Sequence, residues 1–387
     1  MFDEYTKVRG DIALAKGTLH TITTAGQICT TFGLHPNLPF IKSLYESNDL
    51  AFIANMGVLQ TPLTKEDWRQ KSTETALFAH NTQQDEINKV DIFDSEAGRG
   101  VCGRMLDILG LNGFKPGSIS VNGVASTLRS VSSPTIVVDS SGYQKFNPTS
   151  TLTTGVSDKL KELNKASSIR SSMFGETWSN LLFQALGENE LMYEELSNIY
   201  LNATFPETDL GSQLGAVAKV MKTKDIRGTD RDVFNVKIGG FDLHSQIEAP
   251  LIERLTTIND ALEAFVIEMR DHQEIWDDVV VVVVSEFART LMGNTGNGSD
   301  HAWGGNYFVA SGSLAGGKIL GSFPSNLTND GDFVFEPGIT IPTTPWEALW
   351  NGIAQWFGIT NTDDLNTVIP NRNSFPSRLF SLSDMFN

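Results

Sequence analysis

Apolar residues follow two different periods along this chain, and the switches between them mark its elements. LPFIKSLYES (38–47) places apolar side chains at helical spacing, and Asn48 and Asp49 lead from it into LAFIANMGV (50–58), an almost unbroken apolar run closed by Gly57. Such a run predicts a buried strand of the kind that fills parallel sheets. The polar stretch 61–84 predicts surface loop and helix. SISVNG (118–123) and TIVVDS (135–140), bounded by Ser, Gly and Pro, predict two short strands of a meander or a sheet edge. Between 157 and 222 the period becomes helical, in NLLFQALGENELMYEELSNIY and again in LGSQLGAVAKVMK.

The strongest pattern lies between 232 and 321. VFNVKIGGFD predicts a strand ending in a Gly-Gly turn, and LIERLTTINDALEAFVIEMR aligns Leu251, Leu255, Ile258, Leu262, Phe265 and Met269 on one helical stripe. WDDVVVVVVSEF, with valines from 279 through 284, predicts a strand buried on both faces. A Gly/Asn loop, GNTGNGSDHAWGG, leads to another strand, NYFVASG. This succession predicts a parallel sheet with right-handed crossovers. With no internal repeat and no Pro/Ser linker, residues 1–387 read as one α/β domain.

Composition narrows the partners. The 29 basic and 46 acidic side chains give a net charge of −17, which opposes encounter with nucleic acid or an anionic membrane. An anionic substrate stays compatible, because a bound cation inverts the local sign. The 40% hydrophobic and 19% charged content excludes a disordered or coiled-coil chain. Cys29 and Cys102 read as two small thiols rather than a disulfide framework. No apolar stretch reaches the ~20 residues of a membrane helix, and MFDEYTKVRGD lacks a signal-peptide pattern.

In open parallel sheets ligands gather beyond the carboxyl ends of strands. Polar residues following the predicted strands are Asp242 and His244 in GGFDLHSQ, Ser285, Glu286 and Arg289 in SEFART, and Asp300 and His301 in GSDHAWGG. Asp242, His244, Glu286, Asp300 and His301 form a ligand set suited to Zn, Mn or a similar divalent metal. In a two-metal site such ions activate water or a hydroxyl and clamp the oxygens of a phosphoryl or sulfuryl group, and Arg289 is placed to clamp the same tetrahedral anion. Each pair alone has a structural reading: Asp242 and Ser245 as helix caps, Glu286 with Arg289 as an internal ion pair, a lone His as a hydrogen-bonded scaffold residue. Convergence of three strand ends in a chain with 6 His favours a shared site. His80, in ALFAHNTQQ, stands at a predicted helix start with Thr82 nearby, a position for an oxyanion or a nucleophile. His20 and His272 read as exposed helical residues, and His35 as ordering the turn before a helix.

FGLHPNLPFIKSLYESNDLAFIANMGV, GVCGRMLD, GGFDLHSQ, VVVVVVSEFART, GSDHAWGG and TTPWEALWNGIAQWFGITNTDDLNTVIPN, in this order, resemble a widespread, mostly exported bacterial family of unknown function in the alkaline phosphatase and sulfatase superfamily. The likeness runs over most of 32–371 and is looser over 118–222. It implies a three-layer α/β/α fold around a mainly parallel sheet, a metal-dependent site for phosphate or sulfate esters or sulfated or phosphorylated glycans, and an extracellular location. Asp242 and His244 match the family's Asp-Xaa-His, Glu286 and Arg289 its Ser-Glu-Phe-Gly-Arg, Asp300 and His301 its Asp-His, and His80 the His of its Ser-His-Phe. Ala79, Asn81 and Ala288 depart from those motifs. The family's first strand, ending Gly-Gly-Xaa-Asp, has no counterpart, since residues 5–19 match the segment that comes after that strand in the family. A non-catalytic binding protein for an anionic glycan or a partner, or a structural protein, is the alternative reading.

Overall fold

The computed structural model describes residues 1–71, 76–94, 98–138 and 193–387, with a few isolated positions between 159 and 182. The helical spacing near residue 40 becomes α1 (Pro39–Glu46), with Pro39 in its first turn, where no amide donor is needed, and Ile41, Leu44 and Tyr45 buried. The apolar run becomes β1 (Leu50–Gly57). Its side chains alternate: Ala51 and Ile53 enter one apolar cluster, Leu50 and Phe52 another. After it come α2 (His80–Lys89), α3 (Val101–Leu111), β2 (Pro116–Ser120) and β3 (Thr135–Val137).

Next are α4 (Asp209–Met221), β4 (Arg231–Asn235) and α5 (Glu248–Ile267), which runs on into a π-helical turn over Glu268–His272. The stripe on α5 is realised, with Leu262, Phe265 and Met269 buried. Strands β3, β2 and β4 form a parallel three-stranded sheet in that order, so the two short strands are not a meander, and β3 takes the sheet edge. Parallel neighbours need long crossovers, and the pairing of 118 with 233 supplies one. The helix expected over NLLFQALGENELM lies for the most part outside the described residues; its end, from 193, is helical.

The rest of the chain supplies β5 (Val281–Val283), β6 (Ala288–Arg289), β7 (His301–Ala302), β8 (Gly305–Ala310), β9 (Lys318–Gly321), β10 (Thr344–Pro345) and α6 (Trp346–Trp356). Among the described residues the largest sheet runs β9-β1-β8-β5, with β10 also on β1. β9 and β10 are parallel to β1, whereas β8 is antiparallel to both β1 and β5. The parallel order expected across 232–321 therefore does not hold. β5 and β8 are joined through the small β6–β7 hairpin rather than a crossover helix, so the chain returns antiparallel. β4, expected in that same sheet, belongs to the three-stranded one. The valine run does pack on both sides, Val279 and Val281 in one cluster and Val280, Val282 and Val284 against the other. Its middle is only half-buried, because among the described residues β5 has β8 alone as neighbour.

One face of this sheet carries α3 and α6 through Met105, Leu106, Leu349 and Ile353; the other carries α1, α4 and α5 through Leu44, Leu214, Leu262 and Phe265. Cys29 and Cys102 are free thiols, and burial pushes the Cys102 thiol up to about 11. His35 accepts from the Asn37 amide at 3.2 Å and so orders the turn before α1, as expected; His20 lies on a strand, not a helix, bonded to the Pro36 carbonyl. No helix among the described residues is long and apolar enough to cross a membrane.

Two buried charged groups brace this core. Arg104, in α3, is 3% exposed and donates to the carbonyls of Val368, Arg99 and Lys89. Glu347, in α6, accepts from Asn371 Nδ2 at 3.0 Å, and burial raises its carboxyl from 4.5 to about 7. A carboxyl raised by folding gives stability that is complete below its unfolded value and is lost as pH rises through the folded one. The window here is pH 4.5 to 7, and the loss about 3 kcal/mol. Glu347→Gln keeps the bond from Asn371 and has no charge to bury. Urea unfolding at pH 5 and pH 8 is expected to show the variant gaining about 3 kcal/mol on the natural protein between the two; parallel curves would refute the assignment.

Candidate metal centre

Three loops and one helix end bring the charged side chains together. The β6–β7 pairing sets Arg289 directly opposite His301, so one short hairpin presents both. α2 starts at His80, with Ala79 as its extended N-cap, and this turns the imidazole towards the hairpin. The segment after β4 brings in Asp242 and His244, held against the Gly/Asn loop by Ser299 N donating to the Leu243 carbonyl and Asn294 Nδ2 donating to the His244 carbonyl. The capping alternative for Asp242 and Ser245 is not realised: α5 begins at Glu248 with Ile247 as its N-cap and no side-chain cap.

Each of three imidazoles has its Nδ1 on an acceptor. His80 Nδ1 is 2.9 Å from Glu286 Oε1, His244 Nδ1 is 3.0 Å from Asp300 Oδ1, and His301 Nδ1 is 2.8 Å from the Phe78 carbonyl oxygen. Those acceptors favour the Nδ1–H tautomer, which leaves each Nε2 with its lone pair. All three Nε2 atoms converge on Asp242: His244 and His301 at 2.9 Å from Oδ1, His80 at 3.4 Å from Oδ2. His244 Nε2 and His301 Nε2 stand 3.1 Å apart. Ligand atoms of His80, Asp242 and His301 all lie within 4.8 Å of one another. Two ligands on a tetrahedral zinc with ~2.0 Å bonds are ~3.3 Å apart, so the spacing around Asp242 is that of a coordination shell drawn slightly inward. Without a shared cation, lone pairs and a carboxylate face each other at repulsive range.

The carboxylates are ionised. For Asp242, burial works to raise the carboxyl, but its hydrogen-bonded partners, the Arg289 guanidinium foremost, outweigh it and hold the group well below the ordinary carboxylate range. Glu286 is likewise held low: burial opposes, and bonds from His80, Ser285 and Gln84 prevail. The bond from His244, with that from Asn294, lowers Asp300. Phe287 lies against the rings of His80 and His301, with centroids 4.8 Å and 4.4 Å away, and shields one side of the pair.

The structure thus gathers all five expected metal ligands but gives them unequal places. Asp242, His244 and His301 face the shared space. Glu286 and Asp300 stand behind imidazoles as orienting groups. His80, expected as a catalytic residue, turns its Nε2 to the shared space beside those of His244 and His301. Arg289 pairs with Asp242 (Nη1 to Oδ1, 2.6 Å) and with both the carbonyl and hydroxyl oxygens of Ser299, not with Glu286. Its guanidinium fixes Asp242 rather than standing free for an anion. Thr82 is two positions past His80 on α2, a rotation that turns it from the cluster, and among the described residues no hydrogen bond links the two. Sequence reading missed Asn294, which bonds Asp300 Oδ1 at 3.0 Å, and Gln84, which bonds Glu286 Oε1 at 3.2 Å. The one signal for Asn294 was its place in an Asn/Gly turn, where Asn bonds nearby backbone, as it does to Gly296 N and Gly298 N.

Residues 192–332 match the model of a family described as a protein of unknown function (DUF1501). That segment carries every member of the cluster except His80. No curated protein and no solved structure matches the chain.

Proposed function

We propose that this protein is a divalent-metal-dependent hydrolase of phosphate or sulfate esters. The observation that carries the reading is the convergence of three Nε2 lone pairs on the ionised Asp242, each imidazole fixed from behind by an acceptor on Nδ1. His80, Asp242 and His301, flanked by His244, would hold the cation; nitrogen and carboxylate oxygen together suit Zn or Mn. A bound ion of this kind supplies Lewis acidity, acidifying water and offsetting charge on the transferred group. The chain's own residues orient and exclude. Glu286 and Asp300 hold His80 and His244 in one tautomer, Arg289 holds Asp242, and Phe287 covers the His80–His301 pair. In the overall reaction water adds to phosphorus or sulfur, and the ester oxygen leaves as an alcohol with one of water's protons. For an alkaline-phosphatase type of layering and for export, the proposal draws on the sequence resemblance.

The test is metal content by elemental mass spectrometry, joined to turnover of para-nitrophenyl phosphate and sulfate. One or two Zn or Mn per chain, with activity abolished by chelator and restored by the metal, is the expected result. Protein that binds no metal and turns over neither ester would refute the proposal.

A second reading, a non-catalytic metal-dependent binding protein, is favoured by one observation. The hydroxyl next to the cluster, Ser285 Oγ, is spent on Glu286 Oε2 at 2.7 Å, so a side-chain nucleophile would first have to be released. Metal retained without turnover would select this reading.

A further inference from the structure

The helix that presents His80 rests on the core through polar side chains. Apart from Ile87, α2 has no apolar residue, and the side chains it buries are Gln83, Glu86 and Lys89, at 1%, 5% and 8% exposure. Close to that face is Glu347 at the start of α6, with Asp91 of the segment after α2 as a further acid. Burial raises the carboxyl of Glu347, and the charges of Asp91 and Glu86 add to the rise; burial raises Glu86 too, against the pull of Lys89. The two cations here bond other groups. Lys89 Nζ stands 3.5 Å from Glu86 Oε1 and donates to the Asp94 carbonyl, and Arg104 serves backbone oxygens. Of the C-terminal segments packed on α6, Arg372 bonds Asn351 and Asn366, Asp384 bonds Ser381, Asp364 accepts from Asn112, and Asp363 is exposed. An ionised Glu347 therefore places its charge beside Glu86 and Asp91, under the helix.

We propose that Glu347 is a positioning residue for the metal centre: uncharged, it lets α2 lie on the core with His80 in the cluster, and ionised, it drives α2 off. The helix is held at its far end, where Arg104 Nη2 donates to the Lys89 carbonyl, so repulsion at Glu86 tilts it about that point. At 1.5 Å per residue, Glu86 is ~4.5 Å and His80 ~13.5 Å from the pivot, and a displacement grows about threefold on the way. His80 Nε2, 3.4 Å from Asp242 Oδ2, leaves the cluster, and Gln84 leaves Glu286 with it. A coordination bond of ~2 Å does not survive such a shift. A carboxyl raised by docking favours the docked helix at low pH and releases it as pH rises from 4.5 to 7. Imidazole ligands alone do the reverse, since they bind metal better as they lose protons. The effect on metal rests on the hydrolase reading of the cluster; the movement of α2 does not.

Hydrogen exchange on chelator-treated protein tests the movement, with Glu347→Gln, which keeps the bond from Asn371, as the variant that cannot ionise. Corrected for intrinsic rates, protection of the α2 amides should fall at least about tenfold from pH 5 to pH 8 in the natural protein and stay level in the variant. Protection in α3 should change less. Equal profiles in the two proteins, or a fall as large in α3 as in α2, would overturn the proposal. Titration with zinc alone at pH 8 should show Glu347→Gln binding at least about threefold tighter than the natural protein, with equal affinities at pH 5.5. Zinc bound equally by both proteins at both pH values overturns the positioning role and leaves the hydrolase reading standing. Zinc bound by neither removes the hydrolase reading, and the exchange profiles then decide the movement of α2 by themselves.

Discussion

His301→Ala is expected to abolish metal binding at the proposed site and to lower the proposed ester turnover by at least about a hundredfold while the fold persists. His301 is the imidazole whose ring meets both of the others: its Nε2 lies 2.9 Å from Asp242 and 3.1 Å from His244 Nε2, and its Nδ1 is fixed on the Phe78 carbonyl. Removal of a mere orienting partner of a metal-bound His costs 10–100-fold in affinity or activity, and removal of a ligand itself exceeds that. Alanine in this place also leaves Asp242 with one partner fewer and the His80 and Phe287 rings without their neighbour. The side chain is 19% exposed and stands on a two-residue strand, so the loss to stability is small beside the loss to function. Metal content, kcat/KM and thermal unfolding are measured together, with His272→Ala, at an exposed turn, as control. Unchanged turnover with metal retained would remove His301 from the site.

Arg104→Met tests the scaffold instead, and is expected to cost about 3–5 kcal/mol of stability, the range for breaking a buried charged network. The guanidinium gathers three carbonyls that no helix bond satisfies: Lys89 at the end of α2, Arg99 before α3, and Val368 near the C-terminal helices. Methionine fills the volume but leaves those oxygens buried and unpaired. Arg104→Lys should recover part of the loss, because one ammonium cannot reproduce the planar fork. Urea midpoints at constant m-value measure both; a shift under about 1 kcal/mol for the methionine variant would show that the carbonyls find other partners.

The sequence displays some of this and conceals the rest for identifiable reasons. That Asp242 and His244, Glu286 and Arg289, and Asp300 and His301 share a site follows from their positions just past strands, and the structure brings all six together. Their division of labour does not follow from spacing. Whether Glu286 meets a cation or the Nδ1 of His80 depends on where α2 begins, and the pairing of Arg289 with Asp242 depends on the β6–β7 register. Packing of β1 and the valine run on both faces is a property of side chains and is readable in the apolar runs. Strand direction is a property of connections: NYFVASG reads the same up or down, and only the hairpin joining it to β5 reverses it.

The pairing of β1 with β8 also shapes how the chain is made. Phe52 lies opposite Phe308, so β1 leaves the ribosome about 250 residues ahead of its neighbour, an interval of roughly 10–50 s at ordinary elongation rates. For that time an apolar strand with both edges open is a template for aggregation. The largest described sheet can close only after synthesis has passed β8, so a holding chaperone bound near residues 50–57 has that interval in which to act.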